Sequence, residues 1–184
     1  MNFSDLVLLP DKSQYNVGLS SAGNSRMLEL LGNPRDSYTG ECQPLTNQTL
    51  SRKISSQQVG KVAIEGLTVA IESLKSIFAR VSAEVPELIA HVGTAGMLCC
   101  RRVKLPTGLG KNLSNHSWGT AIDLKFDGQL DPRDDGQAQR GLLILSTYFN
   151  AAGWYWGAAF PTEDSMHFEA SAQLLTRWRK DGLI

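Results

Sequence analysis

We predict from the sequence an α+β fold in which a small, mainly antiparallel sheet is flanked by helices. Several segments repeat apolar residues every three or four positions, as amphipathic helices do. Other segments are short runs with the alternation or the aromatic content of strands. The two kinds do not alternate regularly along the 184 residues, which argues against a parallel sheet built from βαβ units.

Four segments carry helical signals. The longest predicted helix runs from about Gln57 to Ser82, where apolar residues recur at three and four. The segment SRMLELLG predicts a short helix with Ser25 as its N-cap and Gly32 at its end. A third helix, GLLILSTYFNAAG, should end at Gly153, and a fourth, SAQLLTRWRKDG, should begin after the N-cap Ser171.

Strands are predicted between these helices. The segments LIAHV, GMLCCRRV, GTAIDLKF, WYWG and MHFEA have the length and composition of short strands. The segment KLPTGLGKNLSN is predicted to be a loop, and the charged segment DGQLDPRDDGQAQR is expected at the surface. We predict one compact unit, in which residues 1–55 form an N-terminal arm packed on a core domain of residues 56–184.

Charge and cysteine content exclude some classes of protein. Eighteen basic and eighteen acidic residues balance without a basic run, so neither nucleic acid nor an anionic membrane is the expected partner. The first residues lack the features of a signal peptide or a membrane span, which predicts synthesis in the cytoplasm. Cys42, Cys99 and Cys100 lack the CxxC spacing, and we expect them to be reduced thiols.

Three residues have the chemistry of a zinc site. His116 and His167 lie near acidic residues at the ends of predicted strands, and Asp123 follows His116 by seven positions. Zinc binds imidazole nitrogen and carboxylate oxygen at roughly 2.0–2.2 Å, and catalytic sites leave one position open for water. His91 stands alone, and we expect it to be a core or strand-end histidine.

The same residues form motifs that resemble a known family. The segment SNHSWGTAID is similar to the SxHxxGxAxD signature of the M15 zinc D-alanyl-D-alanine peptidases. Its matching residues are Ser114, His116, Gly119, Ala121 and Asp123. The segment MHFE resembles the second motif of that family, which contributes His167. The resemblance covers roughly residues 60 to 180 and implies the fold that these peptidases share with the hedgehog signalling domain.

The resemblance implies roles for further residues. It makes His116, Asp123 and His167 the ligands of a zinc ion, and the acidic residue three positions before His167 the general base. That residue is Asp164 here, where many family members have Glu, and the neighbouring Glu163 is the alternative.

The resemblance also requires an arginine before the first motif, which stabilises the oxyanion of the substrate. Arg101 and Arg102 are both available, with a slight preference for Arg101.

Other polar residues around the motifs allow two interpretations. Ser114 could hydrogen-bond substrate or its own backbone. Glu169 shares a strand face with His167 and could fix the tautomer of that histidine, or it could form a structural salt bridge. The segment DPRDDG lacks the closing glutamate of a calcium loop, so we expect a solvated turn.

Aromatic residues near the motifs also allow two interpretations. Trp118, Trp154, Tyr155 and Trp156 could line a cleft, although core packing is the commoner role of such residues. In a strand, Tyr155 would face away from its two tryptophan neighbours, so only one side of this group could reach a cleft.

The resemblance predicts a zinc-dependent peptidase that hydrolyses bacterial cell-wall peptides containing D-amino acids. Its type would be a D,D- or L,D-carboxypeptidase or an endopeptidase, with Zn²⁺ as cofactor and peptidoglycan peptides as partners. The alternative is a zinc-binding module of the same fold that binds these peptides without hydrolysis. We expect a monomer that reaches the cell wall after release by a holin or a secretion system.

Overall fold

A computed structural model of the chain describes residues 2–105 and 107–184, and its α+β architecture confirms the predicted fold class. The strands are β1 (Leu6–Leu8), β2 (Ile54–Val59), β3 (Val62–Leu67), β4 (Val92–Gly96), β5 (Arg102–Leu105), β6 (Gly108–Leu113), β7 (Ala121–Phe126), β8 (Gln137–Gln139), β9 (Trp154–Trp156) and β10 (His167–Ala170). The helices are α1 (Asn24–Leu31), α2 (Gln48–Ser51), α3 (Thr68–Glu84), α4 (Pro86–Ile89), α5 (Arg140–Ala151) and α6 (Ala172–Lys180).

The central sheet positions the predicted site residues. Its strands lie in the order β4, β7, β10, β9, and every neighbouring pair is antiparallel. His167 of β10 lies opposite Asp123 of β7, and Phe168 lies between Ile122 and Trp156. Three smaller two-stranded sheets pair β1 with β8, β2 with β3, and β5 with β6.

The N-terminal part of the longest predicted helix is wrong. Residues from Gln57 to Leu67 belong to the hairpin of β2 and β3, and α3 begins only at Thr68. Val62 and Ile64 are buried while Ala63 and Glu65 are exposed, which is the period of two that a strand requires. The apolar residues of this segment fit the spacing of a helix as well as that of a strand. Because a true helix follows directly, the segment was predicted to be part of that helix.

Two further predictions in the middle of the chain are corrected. The segment LIAHV begins with the last two residues of α4, Leu88 and Ile89, and the strand β4 begins only at its last residue, Val92. The predicted strand GMLCCRRV is interrupted, because regular pairing resumes only at Arg102. The predicted loop KLPTGLGKNLSN instead contributes to the hairpin of β5 and β6, apart from Pro106, which lies outside the described residues.

The remaining helices agree with the sequence. Helix α1 ends at Gly32 as predicted, although Gly23 rather than Ser25 is its N-cap. Helix α5 ends at Ala151, two residues before Gly153. The Ser171 side chain accepts a hydrogen bond from the Leu174 backbone N–H and so caps α6, as predicted.

One hydrophobic core joins the sheet, the helices and the N-terminal arm. The three tryptophans that could have lined a cleft are fully buried, namely Trp118, Trp154 and Trp156. Met27 and Leu50 of the arm belong to the same core cluster. The division at residue 55 stays a prediction. Over the described residues, no helix combines the length and the apolar character that crossing a membrane requires.

The cysteine prediction is wrong in part. Cys42 and Cys99 are paired as a disulfide with their Cα atoms 5.0 Å apart, and Cys100 is a buried free thiol. Backbone hydrogen bonds in both directions between Gln43 and Cys100 bring the arm beside the segment that joins β4 and β5. The spacing of the cysteines does not predict this contact between the arm and residues 99–100, because the two segments are far apart along the chain.

Candidate metal centre and catalytic cleft

Strand pairing brings the first two candidate ligands together. Asp123 and His167 occupy directly opposed positions on β7 and β10, so their side chains lie on the same face of the sheet. The Asp123 Oδ1 atom lies 3.0 Å from the His167 Nδ1 atom. The regular strand that the sequence predicted around Asp123 therefore determines where its carboxylate points.

The third candidate ligand lies on a short turn before β7. His116 belongs to a 3-10 helix, Asn115–Trp118, which ends at Gly119 with a φ of 63°. A Cβ atom at Gly119 would lie 2.6 Å from the Leu67 backbone nitrogen, so the turn packs directly against β3. The close packing and the left-handed backbone together explain the glycine of the motif.

The three side chains form a cluster with suitable chemistry for a metal ion. The His116 Nε2 atom lies 3.1 Å from Asp123 Oδ1 and 3.2 Å from His167 Nδ1. Two ligand atoms on a tetrahedral zinc ion are separated by roughly 3.3 Å, so the donor atoms need to move only slightly. Among the described residues, these three form the group of His, Cys, Asp or Glu side chains that is compact enough to hold a metal ion.

Both histidine rings are oriented by a second hydrogen bond. His116 Nδ1 lies 2.8 Å from the Met97 carbonyl oxygen, and His167 Nε2 lies 3.0 Å from Glu169 Oε2. In the neutral form of each ring, these acceptors place the N–H on the nitrogen that faces away from the cluster, which leaves a lone pair on the inward nitrogen. The Glu169 carboxylate accepts further hydrogen bonds from the Ser21 hydroxyl, at 2.6 Å, and the Asn115 amide, at 2.9 Å.

Burial and charge couple the ligands electrostatically. Burial alone would raise the pKa of Asp123, but the charges and hydrogen bonds of His116 and His167 hold it well below its usual range. Burial alone would lower the pKa of His167, but its hydrogen bonds with Asp123 and Glu169 outweigh burial and raise it to about 10. The cluster thus attracts a cation strongly, and protons and a metal ion compete for the same atoms.

The two acidic residues before His167 have different surroundings. Asp164 lines the cleft beside the cluster, and burial raises its pKa although His167 and Arg133 partly offset that effect. Its Oδ2 atom lies 3.2 Å from Arg133 Nε, and its Oδ1 atom is buried without a hydrogen-bond partner within residues 2–105 and 107–184.

Glu163 faces the other way. It accepts a hydrogen bond of 2.6 Å from the Ser165 backbone N–H, a second from the Ser165 hydroxyl, and one of 3.3 Å from the Asp135 backbone N–H. The residue Glu163 is 6% exposed, and it is not among the residues that line the cleft.

The two candidate arginines are also distinguished. Arg101 lines the cleft, whereas Arg102 donates from Nη1 to the Lys111 carbonyl oxygen at 2.7 Å on the hairpin of β5 and β6. Arg101 is held at its backbone N–H by the Ser117 hydroxyl, at 3.1 Å. Ser114 lies on the cleft wall and its side chain does not cap the following turn.

The cleft around the cluster measures about 380 Å³ and is completed by segments that carry no motif. Residues 21–24 of the N-terminal arm form one wall, and Phe160 packs on the His167 ring at a centroid distance of 5.4 Å. Ser21 and Arg133 touch the predicted site residues directly, yet neither was predicted to do so. The segment DPRDDG is therefore more than a solvated turn, since Asp131 within it is 2% exposed and Arg133 reaches Asp164.

Comparison with known proteins adds one match. A family model of the M15 peptidases, described as D-alanyl-D-alanine carboxypeptidase, matches residues 107–170, which include all three candidate ligands and Asp164. Neither the curated proteins nor the solved structures that were compared with the chain gave a match. The family match confirms the resemblance to the M15 peptidases that was found in the sequence, over residues 107–170.

Proposed function

We propose that this chain is a zinc-dependent peptidase that hydrolyses bacterial cell-wall peptides containing D-amino acids. The observation that carries the proposal is the placement of Asp164 in the same cleft as the cluster of His116, Asp123 and His167. A bare metal site would need only the three ligands. A buried carboxylate with one oxygen free of hydrogen-bond donors, among the described residues, adds the proton acceptor that hydrolysis requires.

The three ligands fit zinc, because two imidazole nitrogens and one carboxylate oxygen are the donors that zinc prefers in hydrolytic sites. When bound there, zinc would supply Lewis-acid chemistry and lower the pKa of water toward neutrality. Glu169 and the Met97 carbonyl would keep both histidines in the tautomer that presents a lone pair to the ion.

The other residues of the cleft supply proton transfer and charge stabilisation. The Asp164 carboxylate accepts a proton from the attacking water and later delivers it to the leaving amine. The raised pKa of Asp164 suits it to hold that proton between the two steps. Arg101, which lines the cleft, stabilises the negative charge that develops on the scissile carbonyl oxygen.

Digestion of purified peptidoglycan tests the proposal. The protein would be incubated with zinc or with a chelator, and the fragments would be identified by mass spectrometry, which names the bond cleaved. We expect cleavage only with zinc, and we expect Asp164→Asn to bind stoichiometric zinc while the rate falls by on the order of 100-fold or more. The matched control is Asp134→Asn, which removes the same charge from an exposed position outside the cleft.

The same experiment distinguishes the non-hydrolytic alternative. A wild-type protein that holds zinc and binds peptidoglycan but releases no fragment would be a binding module. Hydrolysis that survives Asp164→Asn would remove Asp164 from the mechanism.

A further inference from the structure

A side chain outside the family motifs contacts the proposed general base. Arg133 lies between β7 and β8, and its Nε atom is 3.2 Å from the Oδ2 atom of Asp164. The Arg133 side chain is 43% exposed, whereas that of Asp164 is 16% exposed. The ion pair therefore joins the edge of the cleft to a carboxylate inside it.

The loop that carries Arg133 is fixed to the segment that carries Asp164. The backbone N–H of Asp134 donates to the Glu163 carbonyl oxygen at 3.1 Å, and that of Asp135 donates to Glu163 Oε2 at 3.3 Å. On the other side of Arg133, Asp131 accepts a hydrogen bond of 2.5 Å from the Gln139 backbone N–H. Glu163, the alternative candidate base, thus ties the backbone beside Arg133 to the segment that carries Asp164.

Among the described residues, Arg133 is the cationic side chain that forms an ion pair with the Asp164 carboxylate. The Asp164 backbone is held by its own N–H, which donates to Gly157, and by its carbonyl oxygen, which accepts from His167, but neither bond fixes the carboxylate. Within the described part of the chain, Arg133 forms its one ion pair, and the second carboxylate oxygen has no hydrogen-bond partner. Arg133 is therefore the charged group in a position to fix the orientation of this carboxylate.

We propose that Arg133 is a positioning residue for catalysis, which holds the Asp164 carboxylate in the orientation that proton transfer from the attacking water requires. The inference rests on the proposed function, because it assigns a task within the same reaction. A guanidinium group suits this task, since it is permanently charged and rigid. An aspartate base has a shorter reach than a glutamate, so a fixed carboxylate rotamer matters more.

Kinetics of Arg133→Met on a defined cell-wall peptide test the proposal. A placed general base contributes about 10²- to 10⁴-fold to the rate, and we expect the variant to lose about 10- to 100-fold in kcat. KM should change by less than about twofold, because Arg133 acts through Asp164 and not on the substrate. Zinc content and thermal stability should be unchanged, since a partly exposed ion pair contributes little to folding.

Two rescue experiments separate positioning from a general structural role. Arg133→Lys should recover part of kcat, because an ammonium group can form the ion pair without the rigid fork of arginine. In Arg133→Ala, added ethylguanidinium should raise kcat, whereas it should not do so in the wild type. The matched control is Arg80→Met, which removes an Nε ion pair with Glu84 on the exposed surface of α3.

Each other outcome overturns the proposal in a recognisable way. A rise in KM at constant kcat would make Arg133 a substrate contact, and unchanged kinetics would make its ion pair incidental. Loss of activity that neither lysine nor ethylguanidinium restores would indicate a structural role only. Asp164→Asn assayed beside these variants distinguishes failure of the proposed function from failure of the role proposed for Arg133. If Asp164→Asn is inactive while Arg133→Met is normal, only the role of Arg133 is wrong. If the wild type itself does not hydrolyse peptide, both proposals fail.

Discussion

The central sheet and the cleft-lining segments contribute to one site in different ways. By cleft-lining segments we mean residues 21–24 of the arm and the loop of residues 127–136. The sheet places Asp123 and His167 through backbone pairing of β7 and β10. The cleft-lining segments each contribute a single side-chain contact, from Ser21 to Glu169 and from Arg133 to Asp164.

This difference determines how sensitive each part of the site is to mutation. A strand register cannot slip by one residue without turning every side chain to the opposite face, so the ligand geometry is strongly specified. A contact made by one side chain on a surface segment can be altered without disturbing the core. We therefore expect changes in the sheet to abolish metal binding or folding, and changes in the cleft-lining segments to shift affinity, stability or rate by smaller amounts.

The largest effect should follow from Asp123→Ala in the sheet. Two histidines without the carboxylate lack a third ligand and its negative charge, so zinc affinity should fall by on the order of 100-fold or more. Zinc content after dialysis measures this loss, with circular dichroism to verify the fold. Asp127→Ala is the control, because it removes an exposed carboxylate that pairs with His91 instead. Stoichiometric zinc in Asp123→Ala would show that the sheet does not supply the ligand.

The turn before β7 should be the next most sensitive position. Gly119→Ala places a Cβ against the backbone of β3 and in a left-handed conformation, which together should destabilise the protein by about 2–4 kcal/mol. Gly128→Ala is the matched control, since its φ of 79° is also left-handed but no atom lies within 4 Å. Urea unfolding should show a loss of only about 1 kcal/mol there. Equal losses in the two variants would exclude a packing role for Gly119.

A cleft-lining segment should show a pH-dependent effect at Asp131. Its burial, and the nearby charges of Glu163 and Asp135, raise its pKa from 3.8 to about 7, although the hydrogen bond from the Gln139 N–H acts in the opposite direction. The folded protein therefore holds this proton between about pH 4 and 7, and the stability that the proton contributes is lost as the pH rises through about 7.

Asp131→Asn tests this effect, because the amide keeps an acceptor but carries no charge. Relative to the wild type, the variant should gain about 1–3 kcal/mol of unfolding free energy at pH 8, and little at pH 4. Urea unfolding at both pH values, with exposed Asp134→Asn as control, measures the difference. A gain that is the same at both pH values would rule out titration of Asp131 as the cause.

The smallest effect should come from Ser21→Ala in the arm. The variant removes one hydrogen bond to Glu169, while His167 and Asn115 still contact that carboxylate. A hydrogen bond to a charged group contributes about 1.5 kcal/mol or more. Because Ser21 contacts Glu169 and not a metal ligand, only part of this energy should affect metal binding. Zinc affinity should therefore fall by about 3- to 10-fold. Competition with a chromophoric chelator measures it. Ser20→Ala, which affects a contact with Gln173 instead, should leave the affinity unchanged.

The sequence was most informative where chemistry and local structure coincide. Strand β7 was predicted from its alternation, and the resemblance of SNHSWGTAID to a family motif singled out His116 and Asp123, whose side chains meet beside this strand. The outward position of Tyr155 followed from the same rule and agrees with its stacking on Phe160. These predictions succeeded because a residue's face in a strand depends only on its neighbours along the chain.

The sequence was least informative where distant segments meet. Nothing in the residues around Ser21 or Arg133 indicates a partner that lies across the cleft, because one side-chain contact leaves no periodic pattern. The same limit applies to Cys42 and Cys99, which are separated by 57 positions. The hairpin of β2 and β3 was not predicted for another reason: its apolar residues fit the helical period and the strand period equally.

The central place of β10 in the sheet also concerns the order of folding. Strand β10 pairs with β7 on one side and β9 on the other, although it follows both in the chain. Neither strand is completely paired until residues 167–170 arrive, and until then His116 and Asp123 lack their third partner. The cluster of His116, Asp123 and His167 is therefore complete only when β10 lies between β7 and β9, and any opening that releases β10 should disrupt this cluster and the centre of the core in a single event.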